Sequence, residues 1–419
     1  MQTPSMLYAD KSGKIYEHPT LKMSVKSGGY DCIPHLAELI PLPKNSRLYF
    51  IPNSSAVGFN IQSSAFETLD EYAISVFLPP AYLRLHLPSY IRKASSSLPL
   101  YAYTPVGWHD GMFVTSAVKV DDDSRWNPSL YDYSDNFRPQ VERYLQRYPH
   151  NRLYKQLAVC ALEYDCTAAK NVFYPRWECP IPTAPSCNSN CIGCISKQPA
   201  ECCPAPQSRI DFLPTPEEIA EVAANHAEKA EHPIISFGQG CEGDPILYAD
   251  NIARAVEMIR PQFPELTINF NSNCSNPKNL AKLIDAGIDS IRVSLNSVVE
   301  NTYNSYYRPQ NYSFADVVKS IELAEEGGIY ISLNLLTYPG ITDRKSEAEK
   351  MGEFLEEHRI NLIQMRNLNI DPALMESVFN NTHEELLGLK NAMKLWKRKR
   401  KGLEFGYFNR TKISFYSGV

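Results

Sequence analysis

Cys187, Cys191 and Cys194 stand in the run Ser186-Cys-Asn-Ser-Asn-Cys-Ile-Gly-Cys194, a C-x3-C-x2-C spacing. Three thiols on one short loop are an odd number and do not pair off into disulfides. Cysteine thiolates are the usual ligands of iron–sulfur cubes. Three of them on a four-iron cube leave one iron open, and an open iron can bind a cofactor. The rival reading is structural zinc, which takes four ligands in a tetrahedron, usually from two close pairs. Cys202 and Cys203 follow shortly after, so on spacing alone a zinc loop stays open.

The elements that must carry this loop begin to show after residue 215. Pro233–Phe237, Leu266–Phe270, Ser290–Leu295, Tyr330–Leu336 and Asn361–Met365 are short apolar runs that read as buried strands. Helices lie between them. Thr215-Pro-Glu-Glu218 is a capping box with proline at the first helical position, followed by Ile219 and Val222 on the apolar face. Asn276-Pro277 opens a second helix that Gly287 stops. Ser313 with Asp316 opens a third, and Asp371-Pro372 a fourth. Strands alternating with helices of this length predict βαβ units and a parallel sheet. A strand before the cysteine loop is expected within Phe173–Ile181, despite Pro175 and Pro180. That makes six strands. In a barrel or in a doubly wound sheet, ligands bind at the C-terminal strand ends, and the polar runs described below sit there.

Residues 1–170 differ. Sixteen of the 25 tyrosines lie before residue 175, and short β-like runs such as Arg47–Ile51 alternate with Pro, Ser, Asn and Gly turns. A mixed, mainly β accessory domain is expected there, able to cover the mouth of the core. Residues 139–168 read as more helical. Residues 171–370 form the core, and residues 371–419 a helical extension with a basic stretch. In that stretch Leu386, Leu389, Met393 and Trp396 recur at helical spacing among seven lysines and arginines from Lys390 to Lys401. A helix packed by its apolar stripe with a solvated basic face is the favoured reading, ahead of contact with RNA or a membrane surface.

At 419 residues the chain has room for one large or two smaller domains. A net charge of −5 offers no general basic field for nucleic acid. No basic and apolar leader precedes Asp10, and no apolar run approaches membrane-spanning length. With eleven cysteines and no leader, a reducing, cytoplasmic setting without membrane insertion is expected.

The cysteine spacing resembles the cluster loop of the radical S-adenosylmethionine (SAM) superfamily, and the resemblance covers roughly residues 175–370. It implies an α/β fold, a partial (β/α)6 TIM-type barrel, with a [4Fe-4S] cluster held by Cys187, Cys191 and Cys194. The open iron is then chelated by the amino and carboxylate groups of SAM. The reduced cluster cleaves SAM to methionine and a 5′-deoxyadenosyl radical, with a flavodoxin or ferredoxin as reductant. In the superfamily a Gly-Gly-Glu-Pro run at the second strand end binds the SAM amino group. Here the run is Gly238-Gln-Gly240-Cys241-Glu242-Gly243-Asp244-Pro245, with Asp244 in place of the glutamate and Glu242 as a second acidic candidate. An ammonium group suits carbonyls and a carboxylate, and glycines let the backbone approach. Asn271 and Asn273 end the third strand, and Ser294 and Asn296 the fourth. The resemblance places ribose contacts near the latter pair. Arg308, in Tyr-Tyr-Arg-Pro, stands at a spacing where the resemblance implies a contact with the SAM carboxylate, for which its planar fork is suited; a solvated surface charge is the alternative reading. Asn334 on the fifth strand and Gln364 and Arg366 on the sixth point to the mouth or to the core. Many relatives carry an aromatic residue just before the third cysteine, whereas this chain has Gly193.

Cys241, inside the presumed SAM loop, is a candidate substrate-facing thiol or hydrogen donor. The expected function is hydrogen abstraction from a substrate left open among peptide or protein, small molecule and tRNA, in that order. The rivals are an iron–sulfur electron-transfer protein and a zinc-stabilised RNA-binding scaffold.

Overall fold

The computed structural model describes residues 3–94, 97–98, 100–131, 136–197, 205, 207–379 and 384–416. Cys202 and Cys203 lie outside the described residues.

The strands between Ser5 and Lys119 form antiparallel β-structure. An eleven-stranded sheet includes Ile15–Met23, Ser54–Asn60, Tyr72–Phe77, Thr104–His109 and Met112–Lys119, and a three-stranded sheet pairs Val25–Ser27 with Tyr30–Cys32 and Leu87–Pro88. Helices α1 (Phe137–Arg147), α2 (Arg152–Leu162) and α3 (Thr167–Phe173) follow.

The core is a parallel sheet whose strands run in chain order. The first strand is Glu178–Pro180, the second Ile234–Phe237, the third Thr267–Ser272 and the fourth Ser290–Leu295. The fifth is Tyr330–Thr337, the sixth Leu362–Asn367 and the seventh Glu404–Gly406. The intervening helices are α4 (Pro216–Ala227), α5 (Ala249–Ile259), α6 (Pro277–Ala286), α7 (Glu300–Tyr307), α8 (Phe314–Glu326) and α9 (Lys345–Glu357). Their starts agree with the sequence. Thr215 and Glu218 form the capping box of α4, Asn276 caps α6, and Gly287 ends α6 at φ 105°, in the left-handed region where glycine is favoured.

Alternation along the strands decides which face packs where. Ile235, Phe237, Ile268, Phe270, Ile291, Val293, Leu295, Ile331, Leu333, Leu335, Ile363 and Met365 are all fully buried. The intervening positions are Ser236, Asn269, Asn271, Ser290, Arg292, Ser294, Ser332, Asn334, Gln364 and Arg366. Successive side chains point to opposite faces, so one face is apolar and the other polar. The polar face is the concave one, because its side chains meet across non-neighbouring strands. Asn409, just past the seventh strand, donates to Glu178 Oε1 on the first strand at 2.7 Å and accepts from Gln364 Nε2 on the sixth at 2.8 Å. The sheet curls into a partial barrel with a polar lumen.

The C-terminal residues are not helical throughout, as the sequence suggests. After α10 (Pro372–Val378) and α11 (Leu389–Lys399), Glu404–Gly406 adds a seventh parallel strand beside the sixth, with Leu362 opposite Glu404. Helix α11 packs as its stripe predicts. Leu389, Ala392 and Trp396 are buried, and Trp396 Nε1 donates to Ala348 O of α9 at 2.9 Å. Burying such a ring is worth about 3 kcal/mol. Among the described residues no helix is long and apolar enough to cross a membrane.

The N-terminal sheet is bound to the core. Arg92 pairs with Asp371, the cap of α10, at 2.9 Å between Nη1 and Oδ1. Asp121 accepts from the backbone of Tyr407 and Phe408 at 2.7 and 3.2 Å. Buried Arg84 donates to Tyr101 O and Leu368 O, while its backbone donates to Asn367 Oδ1.

Candidate active site

The cysteine loop leaves the first strand at its C-terminal end and is clamped from two sides. On one side Gly243 N donates to Ala184 O at 2.6 Å and Asp244 N to Ser186 O at 3.0 Å. On the other, the end of α7 lies beside it. Ile192 N donates to Tyr306 O at 3.1 Å, Asn190 N to Tyr307 O at 3.0 Å, and Gln310 N to Asn188 O at 2.8 Å. The first clamp demands glycine, since a Cβ on Gly243 would stand 1.9 Å from Ser186 O.

Within this frame the three thiols share one site. Burial, then the charges of Cys187 and Cys194, press the Cys191 thiol well above its ordinary value. Burial, then Asp244, pushes Cys187 up to about 11. Ser189 N donates to Cys187 Sγ at 3.4 Å, and Arg209 Nη2 stands 3.6 Å from Cys194 Sγ. Donors aimed at sulfur suit thiolates, so the donor set fits an iron–sulfur cluster. Among the described residues no three His, Cys, Asp or Glu side chains close on a single metal ion. A cube makes a different demand, because each of its ligands binds a separate iron.

The glycine-rich loop is built differently from its sequence-based reading. Glu242 is an internal bracket. Its Oε2 accepts from Thr183 N, Thr183 Oγ1 and Ala184 N at 2.6, 3.2 and 2.9 Å, and its Oε1 from Gly238 N and Gln239 N at 2.8 and 2.7 Å. A carboxylate has about four lone-pair sites, so none is left for an ammonium group. Burial nevertheless lifts its carboxyl to about 7, against the pull of these donors. Asp244 also points inward. It accepts from Ser272 Oγ at 2.6 Å, Asn273 N at 2.7 Å and Ile246 N at 3.1 Å, joining the loop to the third strand end ahead of Pro245. What the loop offers outward is backbone. Gly238 has φ 77°, and a Cβ there would meet Asn271 O at 1.7 Å. A Cβ on Gly240 would meet Ile195 at 2.4 Å.

The remaining expected residues divide into bound and open. Asn271 donates to Phe237 O at 2.6 Å, and Asn273 to Asn188 Oδ1 at 2.9 Å and Ser189 Oγ at 3.1 Å. Both are buried parts of the frame. Asn296 donates to Thr302 O at 3.2 Å, while its Oδ1 is buried with no partner. Ser294 and Asn334 are half-buried on the lumen face. Arg308 is exposed, with φ 48°, on the segment that pairs with the cysteine loop. Cys241 does not face the mouth. It is buried in the core, where its thiol pairs with Cys160 of α2, and that contact, together with burial, holds it protonated. The substrate-facing role expected for it is corrected accordingly.

Gly193 has a physical explanation. A Cβ there would lie 2.4 Å from Ile370 Cδ1 and 2.9 Å from Tyr306 Oη. Tyr306 of α7 and Ile370, beyond the sixth strand, fill the space beside Gly193. Neither Tyr306 nor Arg209 carries a local signal of its place beside the cysteines. Arg292, one turn of the strand pleat below Ser294, was also missed.

Residues 181–354 match the family model described as the Radical SAM superfamily. The superfamily uses a [4Fe-4S] cluster and SAM. The chain is 26% identical over 178 residues to the FeMo cofactor biosynthesis protein NifB of Klebsiella pneumoniae, covering 39% of this chain and 37% of that protein. It is 25% identical over 191 residues to a probable GTP 3′,8-cyclase of Methanosarcina acetivorans, covering 45% of this chain and 54% of that one. The matched stretch thus spans about a third to a half of these curated relatives. Among solved structures, methylornithine synthase (PylB) is similar at TM-score 0.39 and 16% identity, over 57% of this chain and 68% of that one.

Proposed function

We propose that the protein is a radical SAM enzyme that removes a hydrogen atom from an unactivated C–H of its substrate. The observation that carries this reading is the position of the cysteine loop. Three thiols share one site at the C-terminal end of a parallel barrel, pressed against the glycine-rich loop so closely that a Cβ on Gly243 would stand 1.9 Å from Ser186 O. Cys187, Cys191 and Cys194 hold the cluster, which supplies one-electron reduction of SAM when bound.

The chain's own residues bind and orient. Backbone carbonyls of the Gly238–Pro245 loop receive the SAM amino group, while Glu242 and Asp244 hold that loop in shape. Ser294 and Asn296, with its unpartnered Oδ1, receive the ribose; Asn334 stands beside them on the next strand. Arg308 receives the SAM carboxylate. The N-terminal sheet, bound through Arg84 and Arg92, covers one side of the barrel and shapes access for a peptide, protein or small molecule. A flavodoxin or ferredoxin delivers the electron.

Anaerobic reconstitution with iron and sulfide, reduction, and assay for 5′-deoxyadenosine test this reading. Product that depends on SAM and disappears in Cys191→Ala supports it. A protein that carries iron and forms no 5′-deoxyadenosine overturns it.

A further inference from the structure

The barrel lumen contains two positive charges that no ion pair among the described residues neutralises. Arg292 on the fourth strand and Arg366 on the sixth reach toward each other across the fifth. Both donate to one neutral acceptor, Gln364 Oε1, from Arg292 Nη1 at 3.4 Å and Arg366 Nη2 at 3.1 Å. The Nε of each is buried with no hydrogen-bond partner. Among the described residues neither forms an ion pair. Glu178 is a carboxylate in the field of Arg292, and its Oε1 is engaged by Asn409. The Arg366 guanidinium carbon stands over the Tyr407 ring, 3.8 Å from its centre.

This arrangement is costly without a counter-charge. Two like charges repel, and a charge withdrawn from water without a partner destabilises the fold. Burial, and then the Arg366 charge, lower Arg292 to about 9. The site is nevertheless open to solvent. Arg292, Ser294, Asn334, Leu336 and Arg366 are half-buried on the lumen face, while their neighbours Val293, Leu295, Leu333, Leu335 and Met365 are fully buried.

We propose that Arg292 and Arg366 form the receiving site for an anionic group, carboxylate or phosphate, of the substrate. The inference rests on the radical SAM reading for the word substrate, and on the lumen geometry alone for the anion. Two guanidinium forks with unpaired Nε donors and a shared amide match the several acceptor oxygens of such a group. The anion anchors one end of the substrate within the lumen, so the rest of the molecule extends toward the cluster mouth. Uncharged hydrocarbon substrates are disfavoured by the same charges.

The test uses the full chain and inorganic probes. Phosphate and malonate are titrated separately by calorimetry and by thermal shift at constant ionic strength, which separates the two anion types. Saturable binding of either is expected, weakened at least tenfold in Arg292→Gln and Arg366→Gln and less in Arg366→Lys, which keeps the charge and loses the fork. Lys397→Gln, on the exposed face of α11, controls for non-specific attraction. Circular dichroism confirms that each variant is folded. The absence of saturable binding for both probes, or equal binding in wild type and both glutamine variants, overturns the proposal. So does displacement of the bound probe by SAM, which assigns the pair to the cofactor's own carboxylate. The radical reading fails separately, if the wild-type protein forms no 5′-deoxyadenosine whatever anion is present.

Discussion

Gly243 lies against Ser186 so closely that a single methyl group on its α-carbon would stand 1.9 Å from the Ser186 carbonyl oxygen. This contact joins the glycine-rich loop to the cysteine loop through backbone alone, and neither side has a flexible side chain that can yield. Gly243→Ala is therefore expected to displace the cysteine loop while leaving the barrel folded. Iron bound after reconstitution should fall several-fold with an unchanged far-ultraviolet spectrum. Wild-type iron loading in the variant would show that the approach is not required.

Glu242 makes a prediction of stability. A glutamine there turns an NH₂ group toward backbone N–H groups that now meet an oxygen, from Gly238 and Gln239 on one side or from Thr183 and Ala184 on the other. Each buried donor left without an acceptor costs about 1–3 kcal/mol. Glu242→Gln is expected to lower the unfolding free energy by about 3 kcal/mol in urea titration. An unchanged midpoint would mean that the bracket is dispensable.

His226 of α4 gives a pH dependence. Its Nε2 meets Trp177 O at 3.2 Å, its Nδ1 is buried without a partner, and burial depresses its pKa from 6.5 to about 4. Above pH 6.5 the ring is neutral in both states and its contribution to stability is fully present. As the pH falls from 6.5 toward 4, the unfolded chain takes up a proton that the folded chain refuses, and stability is lost. The loss amounts to about 3 kcal/mol. His226→Gln keeps a donor for Trp177 O and removes the titration, so its stability should fall less than that of the wild type between these pH values. Parallel pH profiles would contradict the assignment.

Arg92 tests the attachment of the N-terminal sheet. Asp371 is 1% exposed at its side chain, and Arg92 is the cation paired with it. Among the described residues, Arg92→Ala leaves that carboxylate with the backbone donors of Leu98 and Ala373. Breaking a buried pair from one side costs about 3 kcal/mol. The variant is expected to melt several degrees lower, with earlier proteolysis near residue 92. A melting temperature equal to the wild type's would show that the sheet is held by its apolar contacts alone.

The core βα units were legible because their punctuation is local. The capping box at Thr215 and Glu218, the Asn276-Pro277 start and the Gly287 stop each act within a few residues of the element they end. The seventh strand was not legible, since Glu-Phe-Gly is short and carries no β-branched residue; its pairing with Leu362–Gln364 supplies what the local sequence lacks. At the site, the cysteine spacing marks the loop but not what surrounds it. Glu242 looks like a ligand until Thr183 and Ala184, distant in sequence, are seen to occupy it. Gly193 looks like a missing aromatic residue until Ile370 and Tyr306 are seen to fill the space. The facing of Asn334, Gln364 and Arg366 was undecided by alternation alone. It follows from Asn409, which bridges the first and sixth strands.

The central claim is that Cys187, Cys191 and Cys194 hold a four-iron cluster with one iron open to SAM. Electron paramagnetic resonance of the anaerobically reconstituted and reduced protein, recorded before and after addition of SAM, tests it directly. A [4Fe-4S] signal whose g-values shift on addition of SAM is the predicted result. A cluster signal that SAM leaves unchanged, or a protein that retains zinc and takes up no iron, would contradict it.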